Sequence, residues 1–494
     1  MPAVGATSVS GAGSRWTPAD RMVLTVLLLL ALARSLAVFL SPLELGVDEA
    51  QYWLWSTEFD FGYYTKPPLT SWIIGASHAA FGHHAWAVRL PAPWIHLATA
   101  LVLWRAGSWL AGDAAGRWAA LLWTGLPAVA VGSFVISTDT PMLLFWSLGL
   151  LALVGSVAGK LPARRAAMMA GAGFGAAMLA KYAAIFGAAG LALYWVVTRM
   201  RGRAPFKAAD LCLFGLAMII VASPNILWNL ANDLTTVRHL GDNANLDQQS
   251  YAPLNSLGFL AAQFATAGPI SFALMFGILR TRRDDVSGLL LLCLSVPVII
   301  VIMTQAFLSE ANANWALAAM PALVLWLSRW LTTGNRRRLA AAALAVNGGI
   351  CLVLIAVTIA GSLGPLTPQS DPLRRLRGWQ QLAADTGAAL TAHRAQTVVA
   401  DRRATAALLS WHFHGTETDV LIHDADGIPS NHFETNTAWT PHKGRRLVAI
   451  SGTSEPPRMG GVSWLSDDTT MVSDPTISRN RNRTLHLHRG VEAD

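Results

Sequence analysis

Charge is what this chain of 494 residues has least of. Asp, Glu, Lys and Arg make up 13% of it, about half the roughly 25% of an ordinary soluble domain. That deficit excludes a soluble enzyme, a disordered chain and a coiled coil. Cysteine is scarce as well. Cys212, Cys293 and Cys351 all fall inside apolar runs, so they give neither a disulfide framework nor a CxxC metal site and read as small packing residues. No internal repeat of about 20–50 residues is visible. Nor is the two-fold hydropathy symmetry of a transporter.

What is plentiful is apolar. Hydrophobic residues reach 53%, with 41 Gly and 20 Trp, as suits helices packed closely in lipid with aromatics at the interfaces. A spanning helix needs about 20 apolar residues. About eleven candidates (10–13 allowing for breaks) follow: 22–41, 86–111, 117–137, 140–158, 166–180, 182–198, 208–230, 257–279, 286–306, 314–332 and 339–360. The run from Ala166 to Thr198 is read as two short spans turning near Lys181. The first span is too long for a signal-peptide core and no A-x-A site follows it, so it is expected to stay attached. Residues 1–20, rich in Ala, Gly and Ser, read as a disordered cytoplasmic tail.

Lys and Arg set the orientation. Every second loop is basic: Arg15 and Arg21; Arg105 and Arg117; Lys160, Arg164 and Arg165; Arg199, Arg201, Arg203 and Lys207; Arg280, Arg282 and Arg283; Arg336, Arg337 and Arg338. The other loops carry Glu44, Asp48, Glu49, Glu58, Asp60, Asp139, Asp233, Asp242, Asp247 and Glu310, with few bases. Much of the net charge of +8 is therefore a topology signal, and no nucleic-acid partner is expected. The N-terminus is placed in the cytoplasm and the C-terminus outside. The division expected is a membrane domain over 21–360, with a first external loop at 42–85, and a polar extracytoplasmic domain over 361–494. In the latter, LRRLRGWQQLAADTGAAL and ATAALLSWHF read as helices and TVVA, DVLIHD and RRLVAIS as strands, a small α/β unit.

The chemistry concentrates in the first external loop, from Gly46 to Gly75. Asp48 and Glu49 stand at the membrane surface beside Tyr52, Trp53 and Trp55, on what reads as an amphipathic interfacial helix. Lys66 precedes Pro67 and Pro68, which hold it extended and stiffen the chain after it. A stiff lysine near the membrane plane suits a lipid-linked phosphate. The competing reading is that the two acids are solvated and that Lys66 snorkels. More ionisable residues fall on the same side. Asp139 is either a helix N-cap before Pro141 or part of a site. Lys181 sits in an apolar stretch, where a cation needs a partner or a wet cavity. Arg238 and His239 lie in the large loop before 257. Glu310, Asn312 and Asn314 open the span at 314. Acids and bases from separated loops thus converge on one membrane face, a pattern suited to a substrate with a long lipid tail and a charged head.

GVDEAQYWLW at 46–55 and FGYYTKPPLTSW at 61–72 are followed by VRLPA at 88–92, TDTPMLLFW at 138–146 and LAKYAA at 179–184. SPNILWNLANDLTTVRHL at 223–240 and SEANANWALAAMP at 309–321 complete the set. In this order the chain resembles bacterial members of the protein O-mannosyltransferase-like GT-C superfamily (family 39), which includes the lipid A aminoarabinose transferases. DPLRRLRGWQQLA resembles, less specifically, the periplasmic domain of that group. The resemblance implies a polytopic helical GT-C bundle in the bacterial inner membrane. It implies a glycosyltransferase that takes a sugar from a polyprenyl phosphate and passes it to an extracytoplasmic acceptor: lipid A or another lipid, a polysaccharide or a protein. It implies Asp48 as the catalytic base, with Glu49 as the second member of the acid pair. It implies Lys66 at the donor phosphate. Beyond the resemblance, Lys181, Arg238 and His239 are expected to join Lys66 there, with Tyr63, Tyr64, Asp139, Glu310 and Asn314 lining the pocket. Sugar transfer would then be a single inverting displacement at C1. Where relatives often have a small residue or His beside Lys-Pro-Pro, this chain reads Tyr-Thr-Lys, so sugar identity does not carry over. Some relatives use a divalent metal. His393, His412, His414 and His423 show only a loose H-x-H spacing and read as loop residues, so metal is left open. The readings set against a single-sugar transferase are a flippase or transporter of lipid-linked sugars, an en bloc oligosaccharide ligase and a non-catalytic scaffold.

Overall fold

The computed structural model describes residues 16–238, 251–282, 284–364, 366, 370–427, 429–465, 470–473 and 484–493. The tail expected over 1–20 falls mostly outside the described residues, as do Arg15, Asp242, Asp247 and Arg283 of the loop-charge pattern.

Helix α1 (Pro18–Leu40) starts with Pro at its first position and a capping box, in which Thr17 and Asp20 bond each other's backbone N–H. α2 (Val47–Thr57), α3 (Leu69–Phe81) and α4 (Ala85–Arg89) form the segment that follows, and α4 runs on into α5 (Pro91–Ala111). Then come α6 (Asp113–Thr124), α7 (Pro127–Phe134), α8 (Asp139–Val157), α9 (Ala163–Met178), α10 (Ile185–Met200) and α11 (Ala208–Ala231). The remaining helices of the bundle are α12 (Pro253–Ala267), α13 (Pro269–Met275), α14 (Val286–Cys293), α15 (Val296–Leu308), α16 (Met320–Thr333) and α17 (Arg337–Ala360). Leu29, Leu32 and Leu36 of α1, Ile219, Ile220 and Leu227 of α11, and Leu352 and Val353 of α17 are exposed. An outer wall of this kind is stable only against lipid.

Among the described residues eight helices are long and apolar enough to cross a membrane, or nine if one bent pair counts as a span. The eleven expected spans differ at three places, each for a local reason. The stretch 117–137 is not one helix. Pro127 has no N–H to continue the ladder, and α6 ends at Gly125. The break frees the Thr124 carbonyl, which accepts 2.7 Å from Nη2 of buried Arg34 on α1. The stretch 166–180 becomes α9, sixteen residues long. Lys181 then turns extended and a short 3₁₀ turn leads into α10, so the chain breaks at the residue named from sequence. The stretch 257–279 bends by 115° at Gly268, whose φ of +85° favours glycine; the Ala267 carbonyl there accepts from Asn347.

Beyond Ala360 lie α18 (Trp379–His393), α19 (Arg403–His412) and α20 (His432–Asn436), with strands β1 (Thr397–Ala400), β2 (Asp419–Ile422), β3 (Arg446–Ser451), β4 (Val462–Trp464), β5 (Thr470–Ser473) and β6 (Thr484–Glu492). The sheet order is β2-β1-β3-β6-β4, with β5 also paired to β6. β1 runs parallel to β2 and β3, with Val398 opposite both Val420 and Val448. β6 is antiparallel to β3, β4 and β5. β1 is buried along its whole length, which explains its unbroken apolar run. One face of the sheet has its own core, around Val399, Leu447, Ala449 and Met459, and the other core is shared. Trp53 and Trp55 of α2 and Ile74 of α3 belong to one cluster with Leu382, Leu408, Trp411 and Val448. The first loop and the C-terminal region are thus sealed together.

Candidate functional site

α2 begins on the other half of its expected acid pair. Glu49, at the third helical position, accepts the Gly46 N–H at 2.9 Å, the reciprocal bond of a capping box. It is 1% exposed. Both carboxylate oxygens are held by Arg89 of α4, Nε to Oε1 at 2.9 Å and Nη2 to Oε2 at 2.7 Å, and the Ile136 N–H adds a bond to Oε1 at 3.1 Å. Arg89 spends its other hydrogens on the carbonyls of Leu43 and Glu44. Glu49, expected beside Asp48 at the reacting atoms, is therefore fully engaged in fixing the first loop against α4 and the start of α8. Burial makes this pairing obligatory, because an unpaired buried carboxylate is costly.

Asp48, one residue earlier, points the other way. Its side chain is 64% exposed. Arg403, at the first turn of α19, places Nη1 and Nη2 each 3.2 Å from Oδ1. Among the described residues Oδ2 has no partner. Nη1 of Arg403 also bonds Oε1 of Gln51 on α2. Tyr52 lies between the acids. Burial, and then the charges of Asp48, Asp139 and Glu49, hold its phenol well above the usual range.

Lys66 is half-buried and, among the described residues, has no ion pair and no side-chain hydrogen bond. Its surroundings are built by the loop. The Tyr63 N–H donates to the Lys66 carbonyl at 3.1 Å. After the two prolines the Leu69 N–H donates to Leu179 O at 2.8 Å, which brings the Lys-Pro-Pro strand against the break at Lys181. Burial, with the neighbouring Lys181 charge, pushes the Lys66 ammonium below its usual value, and Asp48 and Asp139 oppose that push.

Three expected residues meet in one network. Lys181 Nζ bonds Asp139 Oδ1 at 2.8 Å, and Asn314 Nδ2 donates to Asp139 Oδ2 at 2.9 Å. Asp139 is buried at the first position of α8. Its backbone N–H is served by Ser137 Oγ, so its carboxylate ties chain breaks together instead of capping its own helix.

Tyr63 and Tyr64 were expected in the pocket, and each has a hydrogen bond of its own. Tyr63 stacks on Trp55 with ring centroids 5.0 Å apart and donates to Glu58 O at 3.0 Å; burial pushes its phenol up to about 12. Tyr64 reaches the Pro429 carbonyl at 3.1 Å. Arg238 is exposed, two residues from Thr236, whose hydroxyl donates to Tyr63 O at 2.8 Å. Glu310 is exposed and outside the Asp139 network. His239 lies outside the described residues. The loop's far side is held by α11. Pro224 leaves the Ile220 carbonyl unpaired and the Ser223 hydroxyl takes it at 2.7 Å. Asn225 and Trp228 then bond Phe61 O and Asp60 Oδ2. A Cβ on Gly62 would fall 2.3 Å from Trp228, so only glycine fits beneath that ring.

An apolar groove of about 380 Å³ lies between α9, α10 and α11, lined by Met178, Ile185, Leu191, Phe214, Met218 and Ile226. Met178 and Ile185 flank the Lys181 break. Neither Lys66 nor Lys181 lines the groove, whose apolar wall can hold a long tail beside the helices that meet at the Lys181 break.

Arg89 and Arg403 were not singled out from sequence. Arg89 carried a signal, because VRLPA is among the family-like segments. Arg403 carried none. It is an ordinary helix-start residue 355 positions from Asp48.

Comparisons with known proteins bear on the family and the fold. The family described as dolichyl-phosphate-mannose-protein mannosyltransferase matches residues 65–228. The lipid A galacturonosyltransferase RgtD of Rhizobium johnstonii is 33% identical over 430 residues, 85% of this chain and 88% of that protein. Among solved structures, ArnT from Cupriavidus metallidurans bound to undecaprenyl phosphate superposes with a TM-score of 0.64 at 12% identity, covering 95% of this chain and 97% of that one. An oligosaccharyltransferase of Archaeoglobus fulgidus reaches 0.50 over 79% of this chain and 63% of its own, at 12% identity. These two likenesses concern the fold.

Proposed function

We propose a donor, an acceptor and a base for this chain, which belongs to the aminoarabinose-transferase-like GT-C family of membrane glycosyltransferases. It is a multi-pass membrane protein. In our reading it sits in the bacterial inner membrane, N-terminus in the cytoplasm and C-terminal region in the periplasm, as the alternation of Lys and Arg supports. The donor is a polyprenyl-phosphate sugar. The acceptor is an extracytoplasmic glycoconjugate, with lipid A first, and the likeness to a lipid A galacturonosyltransferase makes galacturonate the first sugar to assay.

One observation carries this reading: Lys66 is a half-buried cation without a partner among the described residues, on a segment bonded to Leu179 next to the break that carries the Lys181–Asp139 pair. A buried unpaired charge is costly, and a lipid-linked phosphate would supply the missing anion. Asp48 acts as base through Oδ2, taking the proton of the acceptor hydroxyl as that oxygen forms its bond to the sugar C1. The bond from C1 to the phosphate oxygen breaks, and the released phosphate carries its charge against Lys66, with Lys181 behind it. The configuration inverts. Glu49 positions α2 and does not touch the reacting atoms. Arg238 flanks the entrance on the segment tied down at Thr236.

The test compares cells lacking the protein with cells carrying wild type, Asp48→Asn or Lys66→Ala, by mass spectrometry of lipids and envelope glycans. Loss of one sugar from a glycoconjugate, with accumulation of its polyprenyl-phosphate carrier in both variants, supports the reading. A wild-type profile from Asp48→Asn removes the base assignment. No change on deletion removes the transferase.

A further inference from the structure

We propose that His78, His83 and His414 bind one divalent transition-metal cation of the zinc class, and that this metal staples the C-terminal region to the first external segment. The three come from the last turn of α3, the turn between α3 and α4, and the residues just after α19. Their candidate ligand atoms all lie within 4.8 Å of one another. His78 Nε2 and His83 Nδ1 are 3.3 Å apart, about the separation of two nitrogens on one tetrahedral centre with bonds near 2.0–2.1 Å. His414 is the exposed member of the three, its ring 4.6 Å from that of His83.

The hydrogen bonds around the cluster favour a ligand set over a chance meeting. His83 Nε2 stands 3.0 Å from the Trp411 carbonyl oxygen and so carries the hydrogen. That fixes the tautomer and leaves Nδ1 as a lone pair facing His78, the outer bond by which metal-bound histidines are usually oriented. The rings are held from behind. Trp411 stacks on His83 at 3.7 Å, and Trp53 presents its edge to His78, His83 and His414 at 5.9, 5.1 and 5.0 Å. Trp53 is fully buried. Three imidazoles and an open fourth position toward solvent suit zinc over the oxygen-seeking calcium and magnesium. The sequence spacing alone gave no such site, because His414 is 331 positions from His83 and pairs with neither of the histidines near it in the chain.

The cluster backs onto Trp53 and follows the end of α19, whereas Asp48 contacts Arg403 at the start of that helix. The metal would fix α2, which carries Asp48, by clamping what packs against Trp53. The test uses full-length protein in detergent, with any affinity tag removed. The protein is stripped with chelator and titrated with Co²⁺ and then Zn²⁺. Wild type should take up one metal per chain and show the visible absorption of tetrahedral Co²⁺, and Zn²⁺ should raise its unfolding temperature. His414→Ala changes an exposed side chain and should fold. It should bind at least about tenfold more weakly and lose both signals. Asp48→Asn should bind as wild type does, whatever it does to sugar transfer. Wild type without a spectrum or stoichiometric metal, or equal binding by His414→Ala, overturns the proposal and leaves a plain histidine–histidine hydrogen bond.

Discussion

Arg403 lays both terminal nitrogens 3.2 Å from a single oxygen of Asp48. The C-terminal region therefore puts a cation directly on the acid that opens the first external helix, and leaves that acid's second oxygen without a partner among the described residues. If Asp48 is the base proposed above, this contact links the C-terminal region to catalysis.

Replacing Asp48 by Asn should lower the rate of sugar transfer by about 10²–10⁴, the usual worth of a general base. Arg403→Ala should cost a smaller share, about tenfold in kcat, by letting Asp48 swing. Asp48 is 64% exposed and Arg403 39%, so solvent screens the pair and both variants should keep stability within about 1 kcal/mol of wild type. Thermal unfolding in detergent beside a transfer assay checks both halves. An Arg403→Ala enzyme with wild-type kcat would remove the orienting role.

Glu49→Ala should behave differently from Asp48→Asn, although the two residues are adjacent. It leaves Arg89 buried without its carboxylate, a loss of about 3–5 kcal/mol. Poor accumulation and a lowered unfolding temperature are expected, measured by fluorescence-detected size exclusion. Arg89→Met should match it. A stable, inactive Glu49→Ala protein would return Glu49 to the chemistry.

Donor binding should weaken with rising pH earlier than an ordinary lysine allows. The phosphate needs Lys66 protonated, and burial sets its value below the usual 10.5. Affinity is thus full below that lowered value and falls as pH rises through it. Lys66→Arg should move the fall to higher pH, and Lys66→Ala should flatten the profile at low affinity. Titration with a polyprenyl phosphate reads this. A wild-type profile flat up to pH 10 would contradict the assignment.

Lys181 and Asn314 should be coupled through Asp139. Asn314→Ala removes one bond to a buried carboxylate and should cost about 1–3 kcal/mol. Lys181→Met should cost more, because it leaves the carboxylate without a counter-charge. A double-mutant cycle should give a coupling of about 0.5–3 kcal/mol. Strict additivity would mean that the three residues do not form one network.

The sequence by itself determined the class of this protein. Few charges and long apolar runs leave lipid as the stable surrounding, and the periodic loop charges carry an orientation signal. The Lys-Pro-Pro strand and the acids of the first loop were legible because backbone stiffness and intramembrane charge are local properties. So was the break at Lys181. Helix breaks at Pro127 and Gly268 were overlooked, since hydropathy averaged over a window hides one residue that cannot extend the ladder. Tertiary structure alone decided which of the adjacent acids is buried: Glu49 faces Arg89 and Asp48 faces outward. It alone brought Arg89 to Glu49, Arg403 to Asp48, Asn314 to Asp139 and His414 to His78 and His83. These are contacts across tens to hundreds of residues. A side chain's partner at that range is set by how the helices and the sheet pack, and packing leaves no periodic mark on the chain.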